Sequence, residues 1–239
     1  MSVGAVVVVH EEGPELARCV AALEPQVSEL VIIRNLVDNE RPLGFAANAN
    51  RGIAQTSGPF VVVANPDTEA APDAVAVLNE FAEAHARAGI VGPALLDPDG
   101  TRQPSRRRFP TVSGTIVRRT PLRRVFKPEQ VQRAHYGLDE APTGPIEADW
   151  MLGAFLLLRR EMLDGLGGFD EGYRLYGEDI DLAYRAAKAG WERWYAPGAR
   201  VRHSHAAVTD RQFLTRRTIW HWRGVLRFVR KHPERLRAL

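Results

Sequence analysis

Hydrophobic and polar positions alternate in blocks along the first ninety residues, and the blocks predict strands and helices in turn. Three continuous apolar runs are typical of strands buried on both faces of a parallel sheet, and they span residues 3–9, 30–33 and 60–64. Between them, apolar residues recur at three and four positions, which is typical of amphipathic helices. The predicted helices lie around Leu16, over 44–55 and over 72–88, with a short fourth strand at 90–92. This alternation favours an α/β fold with a doubly wound, mostly parallel sheet.

The patterns beyond residue 95 are less regular. Residues 96–146 carry seven prolines and three runs of arginine. Both a mobile excursion over the active face and an ordinary solvated loop fit that composition. Regular patterns then predict a strand over 150–159, helices over 161–166 and 178–189, short strands over 191–196 and 201–205, and a closing basic helix.

Composition excludes several classes of protein. The 239 residues are 45% hydrophobic and 26% charged, close to the globular average, which excludes a disordered or fibrous chain. The single cysteine, Cys19, falls on an apolar helix stripe, so we expect it in the core and expect no disulfide within the chain. The first residues lack the basic region of a signal peptide, and no early apolar run approaches the ~20 residues of a spanning helix. We therefore expect a cytoplasmic protein.

The net charge of the chain is compatible with several classes of binding partner and does not choose between them. The formal net charge is +3, and nearly all the positive side chains are arginines. Arginine pairs with phosphate and carboxylate groups through planar, bidentate contacts. Nucleic acid, membrane surfaces and nucleotide diphosphates are all compatible with this charge.

Polar side chains collect where the predicted strands end, and the carboxyl ends of strands are where doubly wound sheets bind ligands. These side chains belong to His10, Arg34, Asn35, Asn65 and Asp67. A carboxylate such as Asp67, just past a buried strand, can hold a hard divalent cation that bridges two phosphates. The competing interpretation is an Asx turn that ends the strand.

A cluster of three carboxylates opens the helix at 178–189. Glu178, Asp179 and Asp181 complement the positive end of that helix, and Asp181 has an ion-pair partner in Arg185 four residues on. Three acids in one turn nevertheless repel one another, and the preceding Gly177 lets a substrate approach closely. A partly buried carboxylate at this place is suited to act as a general base.

His203, which ends a short predicted strand, is a candidate metal ligand. The alternative is a surface histidine near a turn. The sequence has no Cys/His spacing of a structural zinc site, no glycine-rich dinucleotide motif, no phosphate-binding P-loop and no nucleophile elbow.

Taken in order, these segments and their neighbours resemble the family 2 inverting glycosyltransferases over nearly the whole chain. The matching segments are Leu43–Ile53 (N-L-G-F-A-x-x-x-N-x-G), Asn65–Asp67 (the N-P-D form of D-x-D), Trp150–Glu161 (W-x-x-G-A…R-R-E), Gly167–Glu171 (G-G-F-D-E), Glu178–Leu182 (E-D-x-D-L) and Phe228–His232. Within the family, the chain is most similar to bacterial rhamnosyltransferase-type enzymes of cell-wall or polysaccharide assembly.

The resemblance implies a GT-A fold and the transfer, with inversion, of a sugar from a nucleotide-diphosphate donor to a hydroxyl of a glycan or lipid-linked acceptor. It implies that Asp67 and His203 hold Mn²⁺ or Mg²⁺ and that Asp179 is the catalytic base. The donor-binding residues that it implies are His10, Asn35, Gly44, Phe45, Asn48, Asn65 and Asp67. The acceptor-side residues are Trp150, Gly153 and Glu178. We divide the chain into one domain over 1–208, with a nucleotide-sugar half over 1–95 and an acceptor half over 96–208, and a helix over 209–239.

Two departures from the family pattern fall on nucleoside recognition. Where the family has V-V-D-N-x-S after the second strand, this chain has Ile33–Leu36, and His10–Glu12 replaces an N-Y-N-like sequence. A catalytically silent relative that binds nucleotide sugars or glycans is therefore an alternative. A nucleic-acid-binding protein would account for the arginines and aromatic residues of the C-terminal helix but not for Asp67 or Asp179, so no nucleic acid is expected.

The C-terminal helix is amphipathic. One arc holds Leu214, Ile219, Trp222, Val225, Leu226 and Val229. The opposite arc holds Arg216, Arg223, Arg227, Arg230 and Lys231. We expect the apolar arc to dock on the domain and the basic arc to rest on an anionic bilayer, at ~1 kcal/mol per basic residue. A lipid-linked acceptor would make such a contact useful, at the inner face of the plasma membrane.

Overall fold

Ten strands and six helices are present in residues 2–109, 142–204 and 216–237, which are the residues that the computed structural model describes. The strands β1 to β10 span Val3–Val9, Glu29–Arg34, Phe60–Ala64, Thr68–Ala70, Ala88–Leu96, Arg106–Arg107, Ile146–Glu147, Trp150–Met151, Phe155–Arg159 and Glu192–His203. The helices α1 to α6 span Pro14–Leu23, Phe45–Ile53, Ala74–Ala84, Arg160–Leu166, Glu178–Lys188 and Arg216–Lys231. Short 3₁₀ turns follow α1 at Glu24–Gln26 and α6 at Pro233–Arg237.

An eight-stranded, mostly parallel sheet organises the chain. Its order is β2-β1-β3-β9-β5-β10-β4, with β7 beside β10. Strand β1 is parallel to β2 and β3, and β10 is parallel to β5. Strand β9 lies antiparallel between β3 and β5, and β4 runs antiparallel to β10. The predicted α/β class is confirmed, and the carboxyl ends of β1, β2 and β3 lie along one edge.

The central strand β1 is buried along its whole length, as its unbroken apolar run predicts. Alternate residues such as Val7 pack with Cys19 of α1 and Leu78 of α3 on one face of the sheet. Val6 and Val8 face the other way and pack against α2. A side chain in place of Gly52 would overlap Val6, so the glycine sets the close approach of α2 to the sheet. Cys19 is fully buried in this core, as predicted.

Four predicted boundaries are wrong. The helix expected over 72–88 ends at Ala84, and Ala88 already belongs to β5. The strand expected over 150–159 is interrupted by a turn at Gly153, which separates β8 from β9. Strand β5 runs past Pro93 to Leu96 because the register of its neighbour β10 shifts beside Pro93, where the ladder lacks an N–H donor. That same shift, between Ala196 and Arg200, is an irregularity inside one continuous β10 and not the gap between two strands. Residues 110–141, most of the proline-rich segment, lie outside the described residues.

Helix α6 docks on the domain with the face opposite to the one predicted. Phe228 is buried at 5% exposure, whereas Ile219, Trp222 and Leu226 of the predicted docking arc are exposed. Basic side chains of the predicted membrane arc hold the helix instead. Arg227 and Lys231 donate hydrogen bonds to the carboxylate of Asp170. Two contacts account for this orientation, because carboxylates of the domain attract the basic arc and Phe228 packs with Tyr173 and Tyr184. Leu214 lies outside the described residues, and of Arg216 only the backbone is described.

Asp181 is the centre of the contact between α5 and the end of α6. Its carboxylate is completely buried and accepts hydrogen bonds from Arg185 at 2.7 Å, Lys231 at 2.9 Å and His232 at 2.9 Å. Tyr173 adds a fourth hydrogen bond at 3.3 Å. Although burial opposes ionisation, these donors lower the pKa of Asp181. The predicted ion pair with Arg185 is confirmed, and the role of Asp181 is structural.

We expect the substitution Asp181→Asn to lower the free energy of unfolding by about 3–5 kcal/mol near neutral pH, because it removes the buried counter-charge of Arg185 and one of the two carboxylates bonded to Lys231. The native pKa is below the unfolded value, so this contribution is present above the unfolded pKa and disappears as the pH falls through the native pKa. Urea denaturation of both proteins measures the difference. Asp164→Asn, at an exposed position of α4, is the control, and equal losses in the two variants would contradict the assignment.

Candidate active site

Asp67 and His203 are brought together by strand pairing. Asp67 follows β3 in a turn, and β4 then pairs with β10 so that His203 stands opposite Thr68. The backbone N–H of Ser204 donates to the carbonyl of Asp67 at 2.9 Å, which closes the pair. The Nε2 atom of His203 lies 3.6 Å from Oδ1 of Asp67. The two predicted metal ligands therefore face each other at the edge of the sheet.

Gln103 fixes the orientation of the His203 ring. The Gln103 amide nitrogen donates to the carboxylate of Asp97 at 2.7 Å and to the carbonyl of His203 at 2.9 Å. These two acceptors determine which end of the amide is nitrogen, so the amide oxygen must be the atom 2.9 Å from Nδ1 of His203. Nδ1 is therefore the donor, and the neutral ring has its lone pair on Nε2. Sequence reasoning did not identify Gln103 or Asp97, because no local motif marks them.

The Asp67–His203 pair fits a divalent cation. A carboxylate oxygen and an imidazole lone pair are both electron donors, and a shared cation removes the repulsion between them. No group of three or more His, Cys, Asp or Glu residues suited to a metal occurs in the part of the chain that the structure describes. Some Mg²⁺ sites use as few as one carboxylate of the protein and take their remaining ligands from water and substrate phosphates, so a site with few protein ligands is compatible with a shared cation.

Asn35 and His10 form a polar network at the ends of β2 and β1. The Oδ1 atom of Asn35 accepts hydrogen bonds from Leu43 N at 2.8 Å, Asn39 Nδ2 at 3.1 Å and Asn48 Nδ2 at 2.9 Å. Its Nδ2 atom donates to Leu43 O at 3.1 Å and to Nδ1 of His10 at 2.8 Å. Asn35 and Asn48 are buried and bonded to each other, so neither amide is presented to a ligand in this arrangement.

His10 is left with a proton on Nε2, because its Nδ1 accepts from Asn35. Its Nε2 atom is buried and has no hydrogen-bond partner among the residues of 2–109, 142–204 and 216–237. Burial, helped by the charge of Arg174 and opposed by Glu11, lowers the pKa of His10 and keeps the ring neutral. A neutral N–H donor therefore lies at the carboxyl end of β1.

The start of α2 joins this network to the segment before α5. The N–H of Phe45 donates to the carbonyl of Arg174 at 3.0 Å. A Cβ atom on Gly44 would lie 2.7 Å from Cα of Arg174, so only glycine allows this contact. The ring of Phe45 is buried and meets Phe169 edge-on at 6.3 Å. Phe45 is thus a core residue, and Gly44 serves the site through backbone packing.

Asp179 is held by backbone donors at the mouth of the sheet. Its carboxylate accepts from Gly153 N at 3.1 Å and from Ile180 N at 2.8 Å. Burial raises the pKa of Asp179 above its ordinary value, against the effects of these two N–H groups and of Arg107. Gly177 precedes α5 with φ of 100°, a conformation that favours glycine and turns the chain into the helix. A half-buried carboxylate with a raised pKa suits proton abstraction.

Glu178 lies beside Asp179 but is buried. Its Oε2 atom has no hydrogen-bond partner within the described ranges. Burial, and after it the charge of Asp179, raises the pKa of Glu178 from the ordinary 4.5 to about 8. The two carboxyl groups therefore hold their protons to higher pH than isolated side chains do.

We expect Glu178→Gln to raise the free energy of unfolding at about pH 8 by about 1–3 kcal/mol, because glutamine resembles the protonated form that the site prefers. The native pKa is raised, so the wild type is fully stable below the unfolded pKa and loses stability as the pH rises toward about 8. The gain should vanish near pH 4. Denaturation across this pH range tests it, and a gain that persists in acid would contradict the assignment.

The metal-side and base-side residues are connected through the turn between β8 and β9. Asn65, two residues before Asp67, donates its N–H to Ala154 O at 2.8 Å. Ala154 follows Gly153, which bonds to Asp179. Trp150 is buried, and its indole N–H donates to Arg108 O at 2.8 Å, so its side chain supports this turn from the core. The structure thus links the end of β3, which precedes Asp67, to the turn that holds Asp179.

Comparisons with known proteins show which sequences this chain is similar to. A family model described as "Glycosyltransferase like family 2" matches residues 1–221. The N-acetylglucosaminyl-diphospho-decaprenol L-rhamnosyltransferase of Mycobacterium tuberculosis is 33% identical over 229 residues, which cover 82% of this chain and 71% of that protein.

Two solved structures share the fold. GalNAc-T7 with UDP, GalNAc and Mn²⁺ superposes with a TM-score of 0.68 at 18% identity, over 96% of this chain and 47% of that one. The mannosyltransferase PcManGT from Pyrobaculum calidifontis, in complex with GDP-Man and Mn²⁺, gives 0.57 at 16% identity, over 87% of this chain and 58% of that one. This chain therefore spans about half to three fifths of the length of these structures, and the likeness confirms the predicted GT-A fold.

Proposed function

Because the chain belongs to glycosyltransferase family 2, we propose that it transfers a sugar, with inversion, from a nucleotide-diphosphate donor to a hydroxyl of a glycan or lipid-linked acceptor. The observation that carries the proposal is the facing pair Asp67 and His203, joined through one turn to the carboxylate of Asp179. A diphosphate site and a base on one sheet edge are what such a transfer requires.

Asp67 and His203 would hold Mn²⁺ or Mg²⁺ against the donor diphosphate. When bound, the cation would supply charge neutralisation for the departing nucleoside diphosphate. Gln103 keeps the lone pair of His203 directed toward Asp67, and its bond to Asp97 keeps the amide in place. Loss of such a hydrogen bond, made to a metal ligand by a residue that does not itself bind the metal, commonly lowers metal affinity by about 10–100-fold.

Asp179 would act on the acceptor. It takes the proton of the acceptor hydroxyl, whose oxygen forms a bond to the anomeric carbon of the donor. The bond from that carbon to the diphosphate oxygen breaks, and the electron pair leaves with the nucleoside diphosphate. The N–H groups of Gly153 and Ile180 hold the carboxylate in one orientation for this step.

His10 would contact the nucleoside. The proposal rests on its neutral Nε2–H at the carboxyl end of β1, which suits a carbonyl or hydroxyl oxygen of the nucleoside. Asn35 and Asn48 then serve as positioning residues, since the amide of Asn35 holds His10 and the backbone of Leu43, and Asn48 donates to Oδ1 of Asn35. This differs from the family pattern, in which an aspartate after the second strand lies near the base.

The relative from Mycobacterium tuberculosis is named for L-rhamnose transfer to N-acetylglucosaminyl-diphospho-decaprenol. We propose the same class of reaction for this chain, in cell-wall or polysaccharide assembly. The test is release of nucleoside diphosphate from UDP-, GDP- and TDP-sugars by the purified chain with Mn²⁺, with and without a polyprenyl-diphosphate GlcNAc acceptor. Turnover that depends on the acceptor is the expected result. Tight donor binding without any release would favour the silent, nucleotide-sugar-binding alternative.

A further inference from the structure

Three large apolar side chains form an exposed stripe on α6. Ile219, Trp222 and Leu226 are 57%, 37% and 48% exposed. Their spacing of three and four residues places them on one side of the helix. We call these three residues the apolar stripe. Contiguous exposed apolar surface of this kind marks a site of interaction more often than isolated apolar residues do.

The opposite side of α6 is fixed to the domain, which leaves the apolar stripe facing outward. Phe228 and His232 are buried there, and Lys231 bonds to both Asp170 and Asp181. A Cβ atom on Gly224 would overlap the carbonyl of Tyr176, so the helix also packs closely on the segment before α5. The stripe is therefore presented by a helix whose orientation is already set.

The charge of α6 indicates which kind of partner binds the apolar stripe. Residues 216–231 contain six basic residues and no acidic residue. Arg227 and Lys231 are used in ion pairs with the domain. Arg223 lies four residues after Ile219, and Arg230 lies four residues after Leu226, so both exposed arginines are on the side of the stripe. Their predicted position on the opposite arc is therefore wrong. We propose that the apolar stripe docks on an anionic phospholipid bilayer, with Ile219, Trp222 and Leu226 at the level of the lipid headgroups and the two arginines paired with lipid phosphates.

A second copy of the chain fits this surface less well. Two copies joined at the stripe would bring Arg223 and Arg230 of each close to those of the other, with no acidic residue in either helix to offset them. A bilayer offers both an apolar interior and negative charge. Tryptophan is the aromatic residue best suited to that boundary. In the part of the chain that the structure describes, no helix is long and apolar enough to cross a membrane.

Docking would place the catalytic edge next to the lipid surface. The ring of His221 lies 5.8 Å from that of Tyr176, two residues before Glu178. The guanidinium of Arg174 lies 4.8 Å from the ring of Trp220, and its carbonyl holds the start of α2. Helix α6 therefore touches the segment that carries Asp179, and a lipid-linked acceptor would arrive from the surface on which α6 rests.

Vesicle flotation of the full chain tests the proposal and needs neither donor nor acceptor, so it is independent of sugar transfer. Vesicles of phosphatidylcholine alone are compared with vesicles that also contain phosphatidylglycerol. We expect the wild type to bind the second kind only. Trp222→Ser with Leu226→Ser should weaken binding by at least about tenfold, because two buried apolar side chains are lost from the contact. Arg223→Gln with Arg230→Gln should reduce the dependence on phosphatidylglycerol.

The matched control is Leu36→Ser with Val37→Ser, two apolar residues that are 64% and 73% exposed after β2. It should bind like the wild type. Far-ultraviolet circular dichroism establishes that all variants are folded. Wild-type binding in the stripe variant, or no flotation of the wild type with either vesicle, would overturn the proposal. A wild type that is dimeric by light scattering, with a monomeric stripe variant and no flotation, would assign the stripe to a second copy instead.

Discussion

Asp179→Asn should lower turnover by about 10²–10⁴-fold and leave donor affinity nearly unchanged. Asparagine keeps the size of the side chain and can still accept the N–H of Gly153, so the turn between β8 and β9 should persist. What is lost is the group that accepts the acceptor's proton. Steady-state kinetics for turnover and calorimetry for donor affinity measure the two effects separately.

The pH profile and two neighbouring variants sharpen this test. Because the pKa of Asp179 is raised, the wild-type rate should rise with pH through a range above the usual pKa of an aspartate. Asp181→Asn should be less stable but active at low temperature, and Glu178→Gln should keep most of its turnover. If Asp179→Asn kept normal turnover while Asp181→Asn was inactive, the assignment within the cluster would be wrong.

Asp67→Asn should weaken metal-dependent binding of the nucleoside diphosphate by at least about 100-fold, since it removes a charged ligand from a site with few protein ligands. Calorimetry with UDP, GDP and TDP, each with Mn²⁺ and with EDTA, measures the loss. His203→Ala should act in the same direction. Asp73→Asn, an exposed aspartate just before α3, is the control and should bind like the wild type.

Gln103→Leu provides a finer test of the same site. Leucine fills the volume but cannot orient the His203 ring, so Mn²⁺ affinity measured by electron paramagnetic resonance should fall by about 10–100-fold. Undiminished donor affinity and activity in EDTA would refute the metal site as a whole. Loss of metal affinity in Asp67→Asn but not in Gln103→Leu would refute only the role of Gln103.

The central strands could be predicted because a strand that is buried on both faces has an apolar residue at every position. The runs at β1 and β3 have no polar position, and the structure reproduces their bounds. Strand β5 was predicted too short because Gly92 and Pro93 resemble the end of a strand. Only its partner β10, a hundred residues away, shows how the ladder accommodates the proline.

Residues of the candidate site could be predicted where they lie at the end of a strand or in the first turn of a helix. Asp67, Asp179 and His203 occupy such positions, and their types are chemically distinctive. Gln103 and Asp97 could not be predicted. Gln103 acts through a hydrogen bond to His203, which is distant in sequence, and Asp97 acts through its bond to Gln103. The burial of Asn35 and Asn48 was also hidden, since buried and ligand-binding asparagines look alike in a sequence.

The orientation of α6 was predicted wrongly for a related reason. Its apolar arc indicates an amphipathic helix but not which side faces the domain. That choice depends on Asp170 and Asp181, which lie far away in sequence and attract Arg227 and Lys231. The docked face also buries Phe228 against Tyr173 and Tyr184, and this contact is equally invisible in the pattern of the helix alone.

The most direct test of the account is the anomeric configuration of the sugar in the product, determined by nuclear magnetic resonance after transfer by the purified chain with Mn²⁺. A single displacement with Asp179 as base predicts the configuration opposite to that of the donor, and no product from Asp179→Asn. A product with the donor's own configuration, or equal product from Asp179→Asn, would contradict the proposed mechanism.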